Sequence, residues 1–310
     1  MRIRATVAAV TGALALSALA VPVAQAAEPK VPADIAAASK VVHGAAGKAV
    51  HADSGRSAFA AAAEGEPYVL DATFSSVKVN NGKNIAVGTT NLVKVPVSFK
   101  LTHAKDVDIH AADFFAGVEL YRGASFDESI FFFDSNDASC TDSSPTVANC
   151  KATVEIDPFA LLNEDAGSWK AAAFAVAFNG EDPENPNLEN VGVAVTDPTN
   201  SFKLQRYSKL TVNASPEPVK KGKTITVTGK LSRANWDDNK YHGYTNQPVK
   251  LQFRKKGTDT YTTLKTIKSN STGELKTTVK ASTDGYFRYS FAGTTTTPAV
   301  NAAGDFVDVR

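Results

Sequence analysis

Cysteine is scarce in this chain of 310 residues, which contains only Cys140 and Cys150. The two residues bound the short run CTDSSPTVANC and form no C-x-x-C motif, so a redox dithiol or a zinc site lacks its usual spacing. An isolated, closely spaced pair in an exported chain is typical of a disulfide. The sequence therefore predicts a Cys140–Cys150 disulfide that closes a small loop.

Motifs that usually mark a catalytic centre are missing as well. There is no H-E-x-x-H metal motif and no Gly-rich phosphate loop between a strand and a helix. Ser125 lies in GASFD, which lacks the second glycine of a G-x-S-x-G nucleophile elbow. Since catalytic sites usually show a recognisable set of residues in the sequence, this sequence predicts a protein that is not an enzyme.

Long apolar runs are confined to the N-terminus. Residues 1–26 begin with the basic MRIR, continue with ATVAAVTGALALSALAV and end with the small residues of Ala-Gln-Ala. This order is typical of a secretory signal peptide. No later stretch is long enough to span a bilayer. We therefore expect a secreted, extracellular protein without a membrane span once the signal peptide has been removed.

Large apolar side chains are few in residues 27–66, where Ala, Gly and Ser predominate. Such a segment buries too little surface to offset the conformational entropy lost on ordering. The sequence predicts a disordered, Ala-rich tether here, with His43 and His51 in solvent.

From residue 67 the pattern changes to short apolar runs bounded by Gly, Asn, Asp and Pro. LVKVPVSFKL alternates apolar and polar residues, and no amphipathic helix separates the runs. This pattern predicts a first β-sandwich over 67–206 and a second, Ig-like one with seven strands over 207–310. The expected fold class is all-β, with two tandem antiparallel β-sandwiches.

Charge is distributed unevenly between these two predicted domains. Residues 27–207 contain 14 Lys and Arg against 24 Asp and Glu, a net charge of −10, whereas residues 208–310 contain 17 against 8, a net charge of +9. The shift supports a domain boundary near residue 207. A basic domain with little arginine and no recognition helix is not expected to bind nucleic acid. An anionic cell-wall polymer or a carbohydrate is the expected partner, and no oligomeric state is specified.

Residues 231–244, LSRANWDDNKYHGY, concentrate aromatic, amide and acidic side chains. Trp236, Tyr241 and Tyr244 are candidates for stacking against sugar rings, with His242 as a hydrogen-bonding partner. The alternative is a structural loop whose aromatic residues pack on the end of the core.

Calcium is a second hypothesis for this stretch, through Asp237 and Asp238. The EF-hand spacing fails, because Lys240 occupies the position of the required glycine and Asn246 that of the bidentate glutamate. Glu181, Asp182 and Glu184 lie in a second acidic loop, which is either a calcium site or a solvated connection. No other cofactor is expected.

Four runs in the second domain resemble a known module: LTVNASPEPVKKGKTITVTGKLSRANW, VKLQFRKKG, DGYFRYSFAG and AAGDFVDVR. The module recurs at the C-termini of uncharacterised two-domain secreted proteins of high-GC Gram-positive bacteria. YRG, the cysteine loop and DAGSW are similar to the domain that often precedes it. The resemblance implies an Ig-like β-sandwich pair, without an assigned activity, and calcium binding in some members.

Three functions are therefore considered. The first is a non-catalytic binding or structural module of the cell envelope or extracellular matrix, acting through sandwich-end loops and the cationic second domain. The second is a secreted protease inhibitor that presents the disulfide loop. The third is a calcium-dependent binding protein.

Overall fold

A computed structural model describes residues 33–46, 65–127, 129 and 131–310; the predicted signal peptide lies outside them. The first part of the chain contains a helix and ten strands: α1 (Ala33–Ala46), β1 (Tyr68–Val69), β2 (Ala72–Val79), β3 (Ile85–Val87), β4 (Val93–His103), β5 (Phe114–Tyr121), β6 (Phe132–Asp134), β7 (Ser139–Ser144), β8 (Val147–Ile156), β9 (Gly167–Ala177) and β10 (Gly192–Arg206).

These ten strands form two sheets with a shared apolar core. One sheet has the order β1-β10-β9-β5-β6, with β3 also paired to β10, and the other has the order β2-β4-β8-β7. In β4 the buried residues are Val95, Val97, Phe99 and Leu101, so the period-two pattern of the sequence matches the face that packs inward. The first unit is a β-sandwich.

The second part of the chain adds ten strands: β11 (Ser208–Leu210), β12 (Asn213–Ser215), β13 (Thr224–Asn235), β14 (Lys240–Gly243), β15 (Pro248–Lys255), β16 (Thr262–Lys268), β17 (Glu274–Lys280), β18 (Gly285–Phe291), β19 (Val300–Asn301) and β20 (Asp305–Val307). Two five-stranded sheets, one built around β13 and one around β15 and β18, enclose a separate core. The predicted class, two tandem β-sandwiches with mainly antiparallel pairing, is confirmed.

Helix α1 corrects the prediction of disorder for residues 33–46. Ile35, Ala38, Val42 and Ala45 form one buried stripe, at a spacing that matches the helical period. The stripe packs on the outer face of the β5–β9–β10 sheet, where it joins apolar side chains such as Phe174. Every residue of β5 is therefore buried, because core lies on both of its faces. No helix of the described residues is long and apolar enough to cross a bilayer.

Gly44 offers a direct test of this helix. It lies in the last turn of α1, is exposed, and has no atom within 4 Å of the position that a Cβ would occupy. Gly44→Ala should stabilise α1 by about 0.5–1 kcal/mol, because alanine loses less backbone entropy in a helix. Hydrogen exchange of the α1 amides should slow accordingly. Ala36→Gly, at an exposed position of the same helix, should accelerate exchange, and equal rates in both variants would contradict the helix.

Candidate functional site

Trp236 lies between the two sandwiches rather than on the surface. Its side chain is 2% exposed and belongs to the core of the first sandwich, although the residue follows β13 of the second. Its indole Nε1–H donates to the carbonyl of Gly88 at 2.9 Å. Burial corrects the prediction that Trp236 stacks on a sugar, because a ring enclosed by protein presents no free face.

Hydrogen bonds from neighbouring residues surround this contact. The Trp236 N–H donates to the Asn163 side chain at 3.0 Å, and the Asn163 N–H donates to Asp237 Oδ1 at 2.9 Å. Asn239 donates to the carbonyl of Thr89 at 3.2 Å. Residues 235–239 thus bind the first sandwich, and this predicted ligand loop acts as a connection between domains.

The remaining aromatic residues of the stretch do not form one outward platform. The ammonium of Lys209 lies 3.5 Å from the ring centre of Tyr241. The guanidinium of Arg233 lies 4.0 Å from that of Tyr244, whose ring also packs edge-on against Phe291. Both tyrosines are half-buried. Cation–π contacts therefore occupy faces that a sugar would need.

The carboxylates proposed for calcium instead accept hydrogen bonds from the protein. Asp238 Oδ2 accepts a hydrogen bond from His242 Nε2 at 2.6 Å, and this hydrogen bond lowers the pKa of Asp238. Glu181 accepts from the Asn187 N–H at 3.0 Å and from Asn190, which lowers its pKa. Among the described residues, no group of three or more His, Cys, Asp or Glu side chains is placed to hold a metal ion.

In the second acidic loop, Asp182 accepts from the backbone N–H of Glu184 at 3.0 Å. This bond closes a local turn within the loop. Asp182 therefore helps to shape the connection between β9 and β10.

The predicted disulfide is confirmed. Cys140 on β7 and Cys150 on β8 are bonded, and they lie directly opposite each other in the hairpin. A protease inhibitor needs an extended loop that fits a cleft, whereas this backbone is hydrogen-bonded into a sheet along β8. The geometry does not favour the inhibitor hypothesis.

A different surface gathers cationic and aromatic side chains: the outer face of β15 and β18. Val249, Leu251 and Phe253 of β15 belong to the core or pack against it. Since strand side chains alternate between faces, Gln252 and Arg254 point outward. The register places Gln252 opposite Arg288 of β18 and Arg254 opposite Tyr286. We call Gln252, Arg254, Tyr261, Tyr286 and Arg288 the arginine–tyrosine face.

The two guanidiniums of this face lie over tyrosine rings. Arg288 is 3.7 Å from the ring centre of Tyr261, and Arg254 is 4.2 Å from that of Tyr286. Arg288 Nε donates to Gln252 Oε1 at 2.9 Å, which sets the plane of the guanidinium. The hydrogen bond between Arg254 and Tyr261 is the main cause that raises the pKa of Arg254. Both positive charges are thereby held in position.

Such a face is suited to anionic groups. A guanidinium stacked on a ring keeps N–H donors at its edge, which match a phosphate or carboxylate in a bidentate manner. Exposed Lys250 and Lys256 flank the face and extend its positive charge, although Lys256 also pairs with Asp284 at 3.5 Å. The sequence analysis does not predict this face, although the alternation in LQFRKK and GYFRYSF indicates that the arginines point away from the core.

Comparisons with known proteins add little. No protein-family model matches the chain, and no curated protein matches it. Solved structures similar to parts of it include the D00-D0 domain of intimin (14% identity, 76% of this chain, 99% of that chain, TM-score 0.24) and the adhesin FdeC of Escherichia coli (12%, 78%, 64%, TM-score 0.29). A major pilin fragment of Streptococcus agalactiae gives 9% identity over 76% of this chain and 91% of that chain, with a TM-score of 0.22. These scores are too low to carry an argument about function.

Proposed function

We propose that this protein is a non-catalytic, exported module that binds anionic polymers of the cell envelope through the arginine–tyrosine face of its second sandwich. The observation that carries the proposal is the pair of guanidiniums, Arg254 and Arg288, each lying over a tyrosine ring on one half-buried, solvent-facing sheet surface. A side chain that is already ordered loses less entropy when it binds.

Charge supports the same choice of ligand. Residues 208–310 have a net charge of +9, so the second sandwich attracts polyanions before any specific contact forms. A repeating chain of phosphates or carboxylates can contact Arg254, Arg288 and Lys250 in succession. The attraction is electrostatic and should weaken as salt shortens the Debye length to about 8 Å at physiological ionic strength.

The test uses the full secreted chain and three labelled polymers: polyphosphate, polygalacturonate and neutral dextran. We expect both anionic polymers to bind at low salt and dextran not to bind. Arg254→Gln/Arg288→Gln should weaken binding by roughly a hundredfold or more, because each of the two lost charge-assisted hydrogen bonds contributes about 1.5–3 kcal/mol. Fluorescence anisotropy measures the dissociation constants.

The matched control removes equal charge from another sheet of the same domain. Lys276→Gln/Lys280→Gln affects two exposed lysines of β17 and should reduce binding only slightly. Equal losses in both double variants would mean that total charge, not the arginine–tyrosine face, binds the polymer. Unchanged binding in the arginine variant, or tighter binding of dextran, would also contradict the proposal. Sedimentation of the protein without polymer shows whether it self-associates, so that self-association is not mistaken for polymer binding.

A further inference from the structure

Polar groups gather beneath α1, inside an otherwise apolar contact. Glu119 of β5 is fully buried, and His43 Nε2 lies 2.9 Å from its Oε2. Ser39, one turn earlier on α1, donates to the same oxygen at 3.3 Å. Burial of a carboxyl group is costly unless it is paired, so these two contacts from the helix offset the cost of burying Glu119.

The His43 ring is held on both of its faces. The ring centres of Phe126 and Phe132 each lie 4.6 Å from that of His43, and both rings are stacked on it. Its side chain is 21% exposed. Water therefore reaches His43 at the rim of the contact, while the pair with Glu119 points inward. The sequence predicts a solvated His43, which this environment corrects.

A second carboxyl group faces the same pair. Asp134 lies directly opposite Glu119 across β5 and β6, so the two side chains are on the same face of the sheet. Asp134 Oδ1 is buried and has no hydrogen-bond partner among the described residues. Two carboxylates opposite each other repel when both are charged. A proton on one of them relieves that repulsion.

The other charged neighbours do not replace this proton. Lys40 of α1 and Glu184 of the β9–β10 connection line the cavity above Asp134, and both are exposed. The Tyr121 hydroxyl donates a hydrogen bond to Asp197, and burial raises the pKa of Tyr121, so it stays neutral. Asp127 contributes negative charge near Tyr121. Among the described residues of this cluster, His43, whose pKa is raised from 6.5, and Asp134, whose pKa is raised to about 7, are the groups that change charge near neutral pH.

We infer that α1 is a proton-dependent cover of the β5–β9–β10 sheet, docked while His43 and Asp134 carry protons and released as they lose them. Release would uncover apolar side chains, including Phe115, Phe174 and Val193, that α1 buries in the docked state. The outer face of this sheet is thus covered by α1 at low pH and exposed at high pH.

The direction of the pH effect is the same for both groups. The hydrogen bond with Glu119 raises the pKa of His43, so its pairing is complete below pH 6.5 and is lost as the pH rises through the raised value. Burial, followed by the charge of Glu119, raises the pKa of Asp134 to about 7. Between the ordinary carboxyl pKa of 3.8 and about 7, undocking releases a proton from Asp134, so docking weakens as the pH rises through that range. Each proton that undocking releases changes the ratio of undocked to docked molecules by up to about tenfold per pH unit.

Hydrogen exchange of the full secreted chain tests this inference. After correction for the intrinsic exchange rate, protection of the α1 amides should fall roughly tenfold or more between about pH 5 and pH 9. Amides of β9 and β10 should keep their protection. Fluorescence of Trp169 and Trp236, which lie in cores away from α1, reports whether the sandwiches remain folded.

Variants distinguish the effect of His43 and Asp134 on α1 from a general effect of pH on the protein. His43→Gln/Asp134→Asn should make protection of α1 nearly independent of pH, whereas Lys40→Gln should keep the wild-type dependence. If the double variant leaves α1 unprotected at every pH, Asp134→Asn alone must still flatten the change below about pH 7. A wild-type helix whose protection does not vary with pH would overturn the inference. So would an unaltered dependence in both His43→Gln/Asp134→Asn and Asp134→Asn.

Discussion

Replacing Trp236 with alanine should lower the free energy of unfolding by about 3–5 kcal/mol, the range for a buried tryptophan truncated in a core. The indole is 2% exposed and packs with residues of the first sandwich. Its removal leaves a cavity at the junction and deprives the Gly88 carbonyl of its donor. Urea denaturation followed by far-UV circular dichroism measures the change. In this variant the two sandwiches should also unfold in two separate transitions.

The control is Trp236→Phe, which keeps an aromatic ring at the junction but removes the indole N–H. An unsatisfied buried carbonyl costs about 1–3 kcal/mol, so this variant should lie between the wild type and alanine. A loss below about 1 kcal/mol for alanine would contradict the buried position of Trp236. Such a result would favour the surface-exposed, sugar-stacking ring over the alternative of a structural loop packed on the core.

Gly243→Ala should destabilise the second sandwich by about 3 kcal/mol or more, because its added methyl group meets backbone that cannot yield cheaply. A Cβ at this position would lie 1.9 Å from the carbonyl oxygen of Thr272 and 2.8 Å from the nitrogen of Gly273. Gly243 ends β14, so the clash separates that strand from the turn before β17. Thermal unfolding measures the loss as a lower midpoint.

Gly257→Ala provides the comparison, since Gly257 lies in an open turn with φ of +79° and nothing within 4 Å. This substitution should lower stability by about 1–2 kcal/mol, because alanine must adopt the left-handed backbone conformation. Equal effects at the two glycines would contradict the close backbone contact at Gly243. A smaller effect at Gly243 than at Gly257 would do so as well.

The strands were predictable because their signal is local. Alternation in residues 92–101 predicts one buried face, and Val95, Val97 and Phe99 lie on that face in the structure. The disulfide was predictable for a similar reason, since a short spacing and an isolated pair leave one plausible bond.

The helix and the arginine–tyrosine face were missed for two different reasons. Residues 27–66 have the average composition of a disordered segment, and that average concealed the helical spacing of Ile35, Ala38, Val42 and Ala45. Residues 114–118 of β5, five residues without a polar side chain, are also typical of a strand buried on both faces. In the second domain, the alternation of β15 and β18 is typical of any strand with one buried face, so it does not by itself mark a binding surface.

The sequence by itself determined the sandwich architecture, the disulfide and the separation of charge, because each depends on residue type and on spacing along the chain. Tertiary structure alone decided which polar and aromatic groups are available to a ligand. His43 meets Glu119 across 76 positions, and Asp237 meets Asn163 across 74. Exposure at such positions depends on which distant segment folds over them, and no local pattern contains that information.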